Sequence, residues 1–170
     1  MEYQSNRQFL FTGGEGFLGS HPIGCHIAQG HYVACLDYFF TGSKQNIDHL
    51  WGHPRLEPLR SNMIFPIYLE IGQIYNTAFP ASRIHYQRSS LQTTKTGVNG
   101  AMNMLGLAKR TRARNPQATT REIYGALVMH PQEESYWGNV NFMGLRSCYD
   151  ERKRYSKKVS AQPPVREIVQ

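Results

Sequence analysis

The chain has 170 residues, 40% of them hydrophobic and 12% aromatic, with a formal net charge of +7 and a pI near 9.5. That is enough apolar material for one domain with a real core, and too short for a nucleotide domain plus a separate substrate domain. No apolar run approaches the roughly 18 residues that a bilayer span needs, and Met1-Glu2-Tyr3-Gln4 opens no signal-peptide core, so no membrane association and a cytoplasmic location are expected.

The three cysteines (Cys25, Cys35, Cys148) are scattered and odd in number, which fits a reducing compartment and not a disulfide framework. The positive charge favours anionic partners, nucleotide phosphates first.

Gln8–Thr12 is a short apolar run that stops at glycines, as a buried parallel strand does. Phe17 to Gly30 is predicted as the first crossover helix, Tyr32–Leu36 as the second strand closed by Asp37, and Ile74–Ala78 as a further strand ending near Pro80. Between Thr93 and Arg110, the positions Val98, Met102, Leu105 and Ala108/Lys109 recur at helical spacing and predict one long helix. A strand should follow, yet Ala113–Thr119 reads Ala-Arg-Asn-Pro-Gln-Ala-Thr, which is poor strand material. Strand–helix alternation predicts an α/β fold with a doubly wound parallel sheet and right-handed crossovers. In this reading residues 1–154 form the nucleotide-binding unit, and 155–170 a basic, Pro-containing tail without a clear period.

Gly13-Gly14-Glu15-Gly16-Phe17-Leu18-Gly19 is a Gly-x-x-Gly-x-x-Gly turn where a strand hands over to a helix. Bare backbone at Gly13 and Gly16 lets the chain approach a pyrophosphate, and the helix N-terminus adds N–H donors and a positive dipole end. Such a turn alone is often only a glycine-rich loop. Here Asp37 ends the next strand, placed to bond ribose hydroxyls and to repel a 2′-phosphate, which favours NAD over NADP. No Gly-Lys-Ser/Thr follows, so a triphosphate P-loop is not expected.

Far downstream, Tyr149 and Lys153 are spaced one helical turn apart. A phenol with a reference pKa near 10 needs a cation beside it to serve as a base. Lys153 is the candidate, Thr120 a third member that would bond the substrate oxygen, and Glu122 a second acid/base group. Alone, this spacing is an ordinary solvated helix face. His21, His26 and His31 are five apart and fan around a helix, and His49, His53, His85 and His130 lack carboxylate or cysteine partners at ligand spacing, so no metal site is expected. The run Arg152-Lys153-Arg154-Tyr155-Ser156-Lys157-Lys158 could pass for a nucleic-acid patch, but without a stacking platform it reads better as a helix face.

With these residues in place, residues 7–154 resemble the UDP-glucuronate decarboxylases of the NAD-dependent epimerase/dehydratase family, enzymes of the extended short-chain dehydrogenase type. Leu36-Asp37-Tyr38-Phe39-Phe40-Thr41-Gly42-Ser43-Lys44-Gln45-Asn46 is similar to the family's ribose-binding segment, and Asn103-Met104-Leu105-Gly106-Leu107-Ala108-Lys109-Arg110 to its long interface helix. Tyr136-Trp137-Gly138-Asn139-Val140-Asn141 and Arg146-Ser147-Cys148-Tyr149-Asp150-Glu151 resemble the stretch that separates the decarboxylases from sibling epimerases.

The resemblance implies a Rossmann-like fold with NAD as cofactor, held by Gly13, Gly16, Phe17, Leu18, Asp37, Phe40, Thr41, Gly42, Asn62, Met63, Thr77, Thr96, Ala118 and Lys153. It implies UDP-glucuronate as substrate, met by Lys95, Asn103, Gly106, Lys109, Arg110 and Tyr149, and a homodimer paired through the two long helices. The implied reaction oxidises the sugar at C4 through Tyr149, loses CO2 from the carboxylate β to the new ketone, and is reduced back to UDP-xylose.

The chain also departs from the family pattern. Asn62 stands for an adenine-binding Asp, Tyr38 for an Asn, Gly97 for a polar residue, Arg121 for a Ser and Arg152 for a Gly. Pro22 falls in the first crossover helix, and Asn115-Pro116-Gln117 interrupts an expected buried strand. The resemblance fades after Arg154, so most of the substrate-closing domain is expected to be missing. The alternative reading is a truncated, non-catalytic relative that at most binds NAD or pairs with a full-length partner.

Overall fold

In the computed structural model, which describes residues 8–79, 89–125, 128–136, 138–141, 143–144, 147–160 and 168–169, strand β1 (Gln8–Thr12) buries both of its faces. Successive side chains on a strand point to opposite sides. Phe9 and Phe11 enter one core layer with Val33, Cys35, Ile23, Ile27, Ile47 and Leu56, and Leu10 enters the other with Ala34, Leu36, Ile74, Met104 and Leu107. A continuous apolar run is what a strand covered by helices on both faces requires.

β1 pairs on one side with β2 (Tyr32–Asp37), which pairs with β3 (Leu56–Arg60). On its other side β1 pairs with β4 (Gln73–Asn76), followed by β5 (Gln117–Ala118) and β6 (Ile168–Val169). The order is β3-β2-β1-β4-β5-β6, all parallel. The chain reverses its direction of travel between β1 and β4, and in such sheets ligands bind in the crevice beyond the strand ends at that switch. Helix α1 (Phe17–Ala28) supplies Ile23 and Ile27 to the first layer, and α3 (Ala101–Thr111) supplies Met104 and Leu107 to the second. Among the described residues no helix is long and apolar enough to cross a membrane.

Several boundaries differ from the sequence expectation, each for a physical reason. The first helix stops at Ala28, because Gly30 takes φ +88° and the amides of Gly30 and His31 fold back onto the carbonyls of Ile27 and His26. Pro22 is accommodated inside α1. β3 was not foreseen: Glu57-Pro58 is poor strand sequence, tolerated because β3 is an edge. β4 begins one residue early and ends at Asn76, since Thr77 and Ala78 leave the ladder to bond Thr12.

The long helix begins at Ser90, as α2 (Ser90–Lys95), and continues through a π turn (Thr96–Gly100) into α3. β5 is only two residues long, yet the interruption before it is partly absorbed: Pro116 lacks a donor, but its carbonyl accepts from Asn76 N at 3.0 Å, and that of Arg114 accepts from Ile74 N at 2.8 Å. Helix α4 (Ser147–Ser160) runs on past Arg154, where the sequence showed no clear period. Trp137, Arg146, Pro80, His85 and residues 161–167 and 170 of the expected tail lie outside the described residues.

Candidate active site

The cleft sits beyond the ends of β1, β2 and β4, is partly open to solvent, and has a cavity volume of about 120 Å³. Gly13, Gly16, Asp37, Phe40, Thr41, Gly42, Asn62, Met63, Thr77 and Thr96 all line it, so the structure gathers ten of the residues expected to hold a cofactor. Gly13 takes φ +69°, and a Cβ there would lie 2.7 Å from Ala78 Cα, so the turn admits no side chain.

The loop after β2 is tied to the glycine turn. Asp37 accepts from Glu15 N at 3.1 Å and from Phe39 N at 2.8 Å, while Glu15 O accepts from Ser43 N at 3.0 Å and Asn46 Nδ2 at 2.6 Å. These bonds hold a carboxylate, bare glycine backbone and a helix N-terminus around one cleft, a donor and acceptor set that fits a dinucleotide. Phe17 and Leu18 stand outside it, 74% and 73% exposed on the first turn of α1. Glu15 is buried, and burial, then Asp37, push its carboxyl up to about 7 against the pull of Lys44.

Under the cleft floor a chain of side-chain bonds crosses three strands. Thr12 Oγ1 donates to Asn76 Oδ1 at 2.7 Å, and Asn76 Nδ2 donates to Gln117 Oε1 at 2.7 Å. All three residues are buried, so each bond is protected from water. Gln117 therefore anchors the strand that Pro116 shortens.

Beside the cleft, Thr120 caps a 3-10 turn (Arg121–Tyr124), its hydroxyl accepting from Glu122 N at 3.4 Å. The same hydroxyl hydrogen-bonds Tyr149. The fold thus brings Thr120 and Tyr149 together, with Glu122 near enough to act on the phenol electrostatically. Burial is the main reason the phenol lies above its ordinary range; Glu122 and Asp150 add to that, and the Thr120 bond and Arg152 oppose it.

Lys153 is 4% exposed, donates to Ala118 O at 2.8 Å and stands 4.2 Å from the Phe79 centroid. Burial first, then Arg152, bring its ammonium down to about 8. Phe79, which lines the cleft, meets Tyr149 edge to face at 5.2 Å and 78°, and so joins the two halves of the site.

Tyr149 stands beside the cleft, and the other residues expected to meet a nucleotide sugar do not line it. Asn103 Nδ2 donates to Met63 O at 3.0 Å, and Arg110 bonds Glu70 and Leu69 O, so both clamp the segment 63–70. Lys95, Gly106 and Lys109 are exposed on α2 and α3 and do not line the cleft. The basic run is not a continuous outward face: Arg152 and Lys153 are buried, and Lys157 donates to Tyr124 Oη at 3.2 Å.

Leu36 and Tyr38, part of the segment expected to bind ribose, also line the cleft, whereas sequence reasoning missed Ser61, Ala78, Phe79 and Gln92. Ser61 and Ala78 are immediate neighbours of predicted ones, and Gln92 lies one helical turn before Thr96, so spacing could have found it.

Residues 9–162 match the family of NAD dependent epimerases/dehydratases. Among relatives, UDP-glucuronic acid decarboxylase 1 of Arabidopsis thaliana is 49% identical over 153 residues, covering 90% of this chain and 35% of that protein. UDP-glucuronic acid decarboxylase 6 of the same plant is 49% identical over 156 residues (91% and 46%), and UDP-glucuronic acid decarboxylase 1 of Danio rerio 46% identical over 154 (91% and 37%). The chain thus spans between about a third and a half of the length of these relatives. The Bordetella bronchiseptica enzyme WbmG, solved with NAD and UDP, superimposes with a TM-score of 0.81 at 21% identity, over 95% of this chain and 51% of that one. Sheet order, glycine turn and a family match over most of the sequence lead to one conclusion: the chain belongs to the NAD dependent epimerase/dehydratase family.

Proposed function

We propose that this chain is the dinucleotide-binding half of an NAD-dependent UDP-glucuronate decarboxylase, which converts UDP-glucuronate to UDP-xylose. The observation that carries the reading is the Tyr149–Thr120 hydrogen bond beside a cleft built by the glycine turn and Asp37, in a chain 46–49% identical to UDP-glucuronic acid decarboxylases.

The dinucleotide would lie across Gly13 and Gly16, with Asp37 accepting from its ribose hydroxyls and Asn62, Met63, Thr77 and Thr96 around it; when bound, NAD⁺ supplies the acceptor for the C4 hydrogen and later returns it. Tyr149 takes the proton of the C4 hydroxyl, and Thr120 orients the same oxygen. With C4 a ketone, the C5 carboxylate lies β to it, so CO2 departs to leave a delocalised enolate, which takes a proton from solvent at C5 and so restores the C4 ketone. Tyr149 then returns its proton to the C4 oxygen.

Burial raises the phenol, so positive charge at the site is what makes it usable as a base. The exposed Lys95 and Lys109 suit a diphosphate approaching along the long helix. Exposed Leu91 and Met102 on that helix support pairing of two copies.

The test is direct: purified chain with NAD⁺ and UDP-glucuronate, product read as UDP-xylose and CO2. Turnover that falls by about 10²–10⁴ in Tyr149→Phe supports the proposal. A melting temperature that rises with NAD⁺ but no CO2 release reduces the chain to a binding module.

A further inference from the structure

Helix α4 carries two adjacent cations that the fold removes from water: Arg152 is 2% exposed and Lys153 4%. Their positions differ. Lys153 Nζ is committed to Ala118 O and the Phe79 ring. The Arg152 guanidinium lies 5.0 Å from the Phe79 centroid and 5.8 Å from that of Tyr149.

The room for the Arg152 stem comes from Gly97, in the π turn. A Cβ on Gly97 would sit 3.0 Å from Arg152 Cβ, 3.0 Å from Arg152 Cδ and 3.0 Å from Phe79 Cε2, closer than packed interiors allow without movement. Ser156, one helical turn on, donates to Gly97 O at 3.0 Å and pins α4 to that turn.

We propose that Arg152 is a positioning residue of the Tyr149 site: seated in the gap left by Gly97 and stacked on Phe79 and Tyr149, it fixes the orientation of the phenol and keeps a permanent positive charge beside it. A guanidinium does not titrate in the working range. Lys153 does, because its ammonium has been brought down to about 8. As pH rises through that value the lysine charge is lost, and Arg152 keeps the site cationic.

The other groups acting on the phenol are Glu122 from the 3-10 turn, Asp150 on α4, and Thr120 through its hydrogen bond. Both carboxylates push the phenol up, so Arg152 is their counterweight. The catalytic meaning of this rests on the reading of Tyr149 proposed above; the placement and the charge do not.

The experiment therefore needs no cofactor, substrate or turnover. Ultraviolet tyrosinate titration of the chain, minus that of its Tyr149→Phe variant, isolates the Tyr149 midpoint. NMR of ¹³C-methylated lysines, assigned with Lys153→Arg, gives that of Lys153. In Arg152→Gln both midpoints are expected to rise by about half a pH unit or more; Arg152→Lys should return the Lys153 midpoint toward the parent but leave the Tyr149 midpoint raised, because a buried ammonium loses its charge before the phenol titrates.

Gly97→Ala, which crowds the Arg152 stem and the Phe79 ring and so displaces the guanidinium, should move the Tyr149 midpoint the same way and lower the melting temperature. Adding Arg152→Gly to Gly97→Ala should recover that loss. If Arg152→Gln and Gly97→Ala lower the melting temperature but leave both midpoints in place, Arg152 is only packing and the proposal is overturned. If Arg152→Gln does not fold, an unmoved Tyr149 midpoint in Gly97→Ala overturns it equally. Shifted midpoints in a chain that releases no CO2 sustain the role of Arg152 while removing the decarboxylase reading.

Discussion

Replacing Asn115 by leucine should stabilise this protein. The Asn115 side chain is 0% exposed, and neither its Oδ1 nor its Nδ2 has a hydrogen-bond partner among the described residues. An amide buried without partners costs about 1–3 kcal/mol. Leucine has the same number of side-chain heavy atoms, and its burial contributes about 1.5–3 kcal/mol, offset by about 1–3 kcal/mol because its methyls are bulkier than the amide. With each contribution at mid-range the expected net gain is about 2 kcal/mol, or roughly 4–8 °C in melting temperature for a chain of this size. Thermal melts by circular dichroism, paired with urea unfolding at constant m-value, measure it. An unchanged or lower urea midpoint would refute the reasoning, since it would mean that the amide is satisfied in solution or that the site holds the asparagine shape for another reason.

Thr12→Val removes the donor to Asn76 and the acceptor for Ala78 N, and should cost about 1–3 kcal/mol in urea unfolding. His26 stacks on Phe9 at 4.2 Å, and burial followed by the neighbouring His31 holds its pKa below 6.5. A lowered folded pKa gives stability that is present above about pH 6.5 and lost as pH falls, so urea midpoints should drop on acidification, and less so in His26→Phe. Glu15 runs the other way: its carboxyl is raised to about 7, so the stability it allows is full below about pH 4.5 and lost as pH rises through 7, and Glu15→Gln should stabilise near pH 8 but not near pH 5. If two copies pair through the long helix, Met102→Glu should shift the chain to monomer in sedimentation.

What could be seen in the sequence follows the range of the interactions involved. The glycine turn and Asp37 are legible because each works within a few residues: a turn that needs bare backbone, and an acid at a strand end. The cleft they line is the part of the site that the spacing foretold. Tyr149 and Thr120 could be named as candidates from their chemistry, but a bond across 29 positions leaves no local period to place them together. Arg152 was visible only as a departure, because its role depends on Gly97 standing opposite it in another helix. β3 stayed hidden because an edge strand tolerates Glu57-Pro58, which a buried strand would not. The start of the long helix at Ser90 was missed because Ser90-Leu91-Gln92 shows no apolar stripe.

The π turn between α2 and α3 decides where this helix tolerates a change of length. A π turn holds one residue more than the α turn it replaces, so the helix can lose a residue between Thr96 and Gly100 and leave Thr93 and Met104 each facing its own layer. The same deletion inside α3 would swing everything beyond it by about 100° around the axis, carrying Leu107 out of the core and Arg110 away from Glu70.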